Sequence, residues 1–324
     1  VGAIIDNVLV SDKANLDVFS GTLQNLAELD RDIVVVTSDS RGSGKLGPFG
    51  QKFPAQIVEI GIAEQNLVGV AAGLASAGKK VFAVSPACFL TARALEQIKN
   101  DVAYSDNPVK LIGISAGVSY GALGTTHHSL HDFAVLRAVN NITVVAPADN
   151  FETEQAIAQA ANSNHPFYLR FGKKVMPALP TDIDNSFSFV KGRIIREGKD
   201  LTIIGTGETV YPAWQAAEKL EQDYNIQATV ISMHTIKPLD YELLARVAAT
   251  GKPIITVEEH SVYGGLGEAC ASFLLQHNYH NPFKIMGIPD EYTVTGSQNE
   301  IFNHYGLSES GIADTALKIL KQKH

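Results

Sequence analysis

The chain has 324 residues, 45% hydrophobic and 19% charged, an ordinary globular composition whose length suggests two domains at ~100–200 residues each. A formal net charge of -8 supplies no overall basic field for a polyanion, so nucleic-acid binding is excluded as a main theme and small anionic substrates require local cationic pockets. Cys88 and Cys270 lie far apart with no CxxC spacing, which excludes a disulfide framework or zinc ribbon and fits a reducing compartment.

The opening VGAIIDNVLVSDKANLDVF lacks a basic segment followed by a long apolar run, and no stretch of ~18 apolar residues occurs, so a cytoplasmic protein without membrane contact is expected. Short β-branched runs then alternate with helical patterns. IVVVT at 33–37, IVEI at 57–60, KVFAV at 80–84, VKLIGIS at 109–115, ITVVAP at 142–147 and FYLRF at 167–171 are nearly continuously apolar, as buried parallel strands are. Between them the spacing predicts helices over 62–77, 89–103, 131–139 and 149–162. The last opens PADNFETE, where Asp149 or Asn150 can cap and Glu152 and Glu154 suit the first-turn dipole.

From 174 to 198 the pattern breaks into prolines and polar residues with room for a hairpin, which reads as a connection and divides the chain into 1–185 and 186–324. The alternation resumes with LTIIGTG, a helix from 208, IQATVIS, a helix over 240–249, PIITVEE, a helix from 265, FKIMGI and a final helix over 310–322. The expected fold class is α/β: two doubly wound domains with mostly parallel sheets and right-handed crossovers.

Parallel sheets bind ligands beyond the carboxyl ends of their strands, which selects SDSRGSGK, GIAEQN, SPACF, AGVSYGALGTTHH and GKK. Glu64 opens a helix that continues with small apolar residues; its carboxylate is either a partner for the helix dipole or a partly buried acid with a raised pKa. His127, His128 and His131 fall within five positions beside Asp132. Gly124 and the two threonines make that segment's start a loop, and without a Cys or Glu at a familiar offset a polar active-site loop is favoured over a metal site. GTGETV at 205–210 is a poor dinucleotide fingerprint because Val210 replaces the last glycine, and YGGLGE at 263–268 reads as a tight βα turn. Cys88 reads as packing.

VEIGIAEQNLVGVAAGLASAGKKVFAVSPACF, followed by GALGTTHHSLHDFAVLRAVNNITVVAPADNFETEQAI, resembles the pyrimidine-binding domain of transketolases. TIIGTGETV, ISMHTIKPLD and TVEEHSVYGGLGE resemble the C-terminal domain shared with other thiamine-diphosphate enzymes, so the resemblance covers almost the whole chain. It implies that Glu64 hydrogen-bonds the aminopyrimidine N1′, enabling deprotonation of the thiazolium, and that the cofactor stores a two-carbon unit as an enamine. It further implies that Phe89 stacks on the pyrimidine, that Arg93 orders the ring pocket and that Asp39 lies near the cofactor. His127 matches a histidine near the substrate carbonyl, with Glu64 and His127 catalytic; His128, Ser38 and Arg170 fall on the substrate side, Arg170 beside the family's phosphate-binding arginine.

Leu123 stands where the family has an acid reading a sugar hydroxyl, and Ser115 and Asn107 stand where phosphate-side histidines occur, so the donor is expected to be an unusual ketose phosphate or a sulfonated ketose. The Gly-Asp-Gly…Asn segment that holds Mg²⁺ and the diphosphate is not found. The resemblance therefore implies the second subunit of a split transketolase, with a separate N-terminal chain holding most of the metal and diphosphate in an α2β2 heterotetramer. The alternatives are the β subunit of a 2-oxo-acid dehydrogenase, a deoxyxylulose-phosphate-synthase-like enzyme, or, in another class, a nonenzymatic Rossmann-like nucleotide-binding regulatory module.

Overall fold

A computed structural model describes residues 13–180 and 183–321, together with the backbone pairing of β1 (Ile4–Ile5) and β2 (Val8–Leu9). The opening residues read for a leader, and the last position of the expected final helix, lie outside the described residues. In the first half the strands are β3 (Ile33–Thr37), β4 (Ile57–Glu59), β5 (Lys80–Pro86), β6 (Lys110–Ile114), β7 (Thr143–Val145) and β8 (Phe167–Arg170). They pair in parallel in the spatial order β7-β8-β6-β5-β3-β4.

Side chains alternate between the two faces of this sheet, and helices cover both. Val35, Phe82, Val84 and Ile112 pack with α1 (Asn15–Leu29) and α7 (Asn150–Ala161); Val36, Val81, Ala83 and Leu111 pack with α3 (Glu64–Ser76) and the residues that follow α4 (Ala87–Arg93). Two short helices, α2 (Gly47–Lys52) and α5 (Leu95–Gln97), and α6 (Asp132–Ala138) complete this half. The single helix expected over 89–103 is three pieces: Ala94 (φ -106°, ψ 20°) leaves the helical region directly after Arg93, and Ile98–Tyr104 forms a π turn. The run at 57–60 is also less buried than its apolar content suggests, because β4 is the sheet edge and Val58 is 37% exposed.

The second half holds β9 (Arg193–Arg196), β10 (Leu201–Gly205), β11 (Ala228–Ser232), β12 (Thr235–Lys237), β13 (Ile254–Ser261) and β14 (Phe283–Ile288). Five of these form a sheet in the order β14-β13-β10-β11-β9, parallel except for β9. Ile203 and Val230 face α8 (Val210–Tyr224) and α12 (Glu309–Lys321), while Ile204 and Ile231 face α9 (Tyr241–Ala248) and α10 (Leu266–Gln276); α11 (Gln298–Tyr305) precedes α12. β12 leaves this sheet and adds antiparallel to β7, so the second half contributes the seventh strand of the first sheet. Among the described residues, no helix is long and apolar enough to cross a membrane.

Candidate active site

The carboxyl ends of β3, β4 and β5 bring three loops together. Glu64 is the first residue of α3 and only 4% exposed. Arg93, last residue of α4, reaches both of its oxygens from one nitrogen at 3.1 and 3.0 Å, and its guanidinium lies 4.2 Å from the Phe89 ring centroid, one helical turn back. The sequence-derived residues Glu64, Phe89 and Arg93 thus form one cluster. Ser38 is buried and donates to Ser85 Oγ at 2.7 Å, tying β3's end to β5's. Asp39 is exposed with a left-handed φ of 46°, and its N–H donates to Glu59 Oε1 at 2.6 Å. Glu59 also accepts the Gly61 N–H at 3.2 Å, so it shapes both loops flanking Glu64. Sequence reasoning missed Glu59, although it is the single charge in an otherwise apolar strand run.

After β6 the chain runs through a 3₁₀ segment, Gly121–Thr126, into the histidine loop. His127 stands edge-on to two rings, Phe89 and Tyr120, each with centroid 5.4 Å away. Its Nδ1 is 2.9 Å from Thr126 Oγ1. Lys173, beyond β8, places Nζ 4.7 Å from the Tyr120 centroid. Burial pushes the Tyr120 phenol up, against a hydrogen bond with Ser115 that lowers it. Leu123 is 54% exposed, and Asn107 turns back to the Asp101 carbonyl at 2.7 Å.

Two expected substrate ligands face elsewhere. His128 is buried with both ring nitrogens engaged, Nδ1 with Thr293 Oγ1 at 2.8 Å and Nε2 with the Gly121 carbonyl at 3.0 Å; burial lowers its pKa. Arg170 is a structural clamp between the halves: Nε donates to Asp132 Oδ2 at 2.8 Å and Nη2 to the carbonyls of Glu259 at 2.7 Å and Ser129 at 3.2 Å. Its side chain is 5% exposed and stacks on Phe133. A motif fixes which residues are neighbours in sequence, whereas the packing of the second half decides where these two side chains point.

That junction is strongly polar. Asp132 also accepts the Tyr168 hydroxyl at 2.7 Å; burial would raise its pKa, but Arg170, His260 and these hydrogen bonds hold it low. Glu259 and Glu208 share the Gln298 amide at 2.8 and 2.7 Å. Sequence reasoning missed all three, because their two acids sit in segments read as a strand end and a tight turn. His131 Nε2 is 3.3 Å from Thr91 Oγ1, which itself donates to the Ala87 carbonyl. Burial pushes the Cys88 thiol up to about 11, as suits packing rather than nucleophilic attack. Among the described residues, no group of three or more His, Cys, Asp or Glu is arranged to hold a metal ion.

Comparison with known proteins matches residues 12–178 to the transketolase pyrimidine-binding domain and 190–312 to the transketolase C-terminal domain. One of the two subunits of the apulose-4-phosphate transketolase of Phocaeicola vulgatus is 49% identical over 94% of this chain and 96% of its own length. The 6-deoxy-6-sulfo-D-fructose transketolase subunit SqwH of a Clostridium species is 33% identical over 95% of each. Among solved structures, a split-gene transketolase described as an inactive β4 tetramer superposes with a TM-score of 0.85 at 34% identity, covering 97% of this chain and 100% of that one. A Pichia stipitis transketolase shares the fold at a TM-score of 0.82 and 22% identity, covering 97% of this chain and 47% of that one. The chain therefore belongs to the transketolase family, spanning its pyrimidine-binding and C-terminal domains.

Proposed function

We propose that this chain is the second, pyrimidine-binding subunit of a split transketolase, transferring a two-carbon ketol unit from a ketose phosphate to an aldose, with its domains dividing at 185/186. The observation that carries the reading is the Glu64–Arg93–Phe89 cluster: a buried carboxylate held by a guanidinium beside an aromatic ring. Such a donor set fits an aminopyrimidine, which needs a carboxyl that can share a proton with a weak ring base and an apolar face to stack on. Thiamine diphosphate, when bound, supplies a nucleophilic carbon and an electron sink for the transferred unit. Glu64 would take the pyrimidine's ring nitrogen and Phe89 its face, with Asp39 nearby. Mg²⁺ and the diphosphate would be held mainly by a separate N-terminal chain, in a cytoplasmic α2β2 assembly.

His127 works on the substrate side. Thr126 occupies its Nδ1, so Nε2 is the atom that holds or moves a proton at the sugar's carbonyl or hydroxyl oxygens. With Arg170 spent on Asp132 and Glu259, Lys173 is the cation that recognises the substrate's anionic group, and Ser38 lies towards the same end of the sheet. A phosphate is favoured over a sulfonate, since relatives named for apulose 4-phosphate are 49% and 39% identical against 33% for the one named for sulfofructose.

The test is reconstitution with the diphosphate-binding chain, thiamine diphosphate and Mg²⁺, followed by assays of ketol transfer from apulose 4-phosphate, xylulose 5-phosphate and 6-deoxy-6-sulfofructose. Transfer that requires both chains and prefers a ketose phosphate is expected. Transfer by this chain alone would overturn the split-site reading, and release of CO₂ from a 2-oxo acid would favour a dehydrogenase or deoxyxylulose-phosphate synthase instead.

A further inference from the structure

The loop that carries His127 is fastened to the second domain as much as to its own sheet. Gly117 and Gly121 have left-handed φ values of 59° and 52°, and second-domain atoms fill the space that a side chain would need. A Cβ on Gly117 would fall 2.2 Å from the Glu259 carboxyl carbon, and one on Gly121 2.6 Å from the Gly296 carbonyl oxygen. Val118 N–H donates to Glu259 Oε1 at 2.9 Å.

Between these contacts lies a hydrogen-bonded ring whose direction is fixed by chemistry. The Gly121 carbonyl can only accept, so His128 Nε2 carries the proton and Nδ1 accepts; its donor is the Thr293 hydroxyl at 2.8 Å. The Thr293 oxygen then accepts from the Thr125 hydroxyl at 3.0 Å, whose own oxygen accepts the Thr293 N–H at 3.1 Å. The ring closes only with neutral His128, the form that burial favours.

We infer that Thr293 is a positioning residue for the transfer reaction: through His128 and Thr125 it sets the loop on which His127 faces the substrate. The second domain thereby fixes catalytic geometry from a residue that does not touch the reacting atoms. The inference rests on the reading of His127 as the substrate-facing histidine.

The experiment uses the full chain reconstituted with its diphosphate-binding partner, thiamine diphosphate and Mg²⁺. Thr293→Val, which removes the donor and keeps the shape, is expected to lower kcat about tenfold with donor KM nearly unchanged, since small misplacements of a catalytic group act on the chemical step. Thr293→Ser should restore most of that loss. In a His127→Ala background, Thr293→Val should cost little more, because residues acting as one unit are not additive. An undiminished loss in that background, or no loss of kcat in the first, overturns the inference alone. Full activity of His127→Ala would overturn the underlying reading and the inference with it. Imidazole ¹⁵N spectra of the full chain read the ring directly: a single Nε2–H tautomer of His128 is expected, and an Nδ1–H or charged His128 would overturn the inference. Should Thr293→Val fail to fold, Thr125→Val breaks the ring one link away and is read by the same criteria.

Discussion

Glu64 joins two properties that rarely coincide: a carboxylate at a helix N-terminus, favoured there by the dipole, and near-complete burial against small apolar residues. Arg93 resolves the conflict by supplying a paired cation whose outer side remains 48% exposed. Glu64→Gln therefore leaves the guanidinium free to hydrate and should cost little stability, while activity of the assembled enzyme falls by about 10²–10⁴-fold, the usual scale for loss of a proton-transfer group. Thermal unfolding together with steady-state rates would check this; a variant retaining more than a tenth of wild-type kcat would argue against the assigned role. Glu64, Phe89 and Arg93 were legible in the sequence because two local helices, at fixed offsets, present all three. His128 and Arg170 were not, since their partners Thr293 and Glu259 lie far along the chain and only the docked second domain reveals them.

Elements with local signals followed the sequence closely, and α7 shows why. Asp149 Oδ1 caps the helix by accepting Glu152 N–H at 2.8 Å, while Glu152 accepts Ala148 N–H at 2.7 Å. The same pair anchors the inter-domain connection, since Arg193 of β9 donates to Glu152 at 2.8 Å and Leu179 N–H to Asp149 at 3.3 Å. Burial and the neighbouring Glu152 push the Asp149 carboxyl up to about 6. Asp149→Ala strips the cap and leaves the Leu179 donor buried, so a loss of about 1–3 kcal/mol is expected in urea unfolding, with Asp149→Asn losing clearly less. Equal losses for the two variants would show that charge, not cap geometry, matters. By contrast, α1 escaped the reading although Leu16, Phe19, Leu23 and Ala27 recur at helical spacing, and β12 had no readable signal. Three residues with Thr and Lys among them become a strand only because β7 offers an open edge.

At the scale of the whole molecule, the two domains meet across acids that burial disfavours in their charged form. Burial pushes Glu259 up to about 8, with Glu208 acting in the same direction and Arg170 opposing; burial also raises Glu208 and lifts Glu258 to about 7 against the N–H groups of Leu266 and Gly267. Each such acid keeps a proton in the folded chain that the unfolded chain, with ordinary values near 4.5, has already released. Their stabilising contribution is thus complete below that value and is lost as pH rises through about 7 and about 8. His260 and His234 run the other way: burial lowers them to about 4 and about 3, so their contribution is present above the ordinary 6.5 and lost as pH falls through those values. Opposed slopes place the stability maximum in mildly acidic solution. The thermal midpoint should therefore fall by several °C between about pH 6 and about pH 8.5, at roughly 2–4 °C per kcal/mol for domains of this size. Glu259→Gln keeps the Gln298 neighbourhood polar but removes the titration, so its midpoint should fall less over the same range. A wild-type midpoint that stays level or rises across it would mean that Arg170 keeps Glu259 charged, and that the junction is an ion pair rather than a proton-sharing pair of acids.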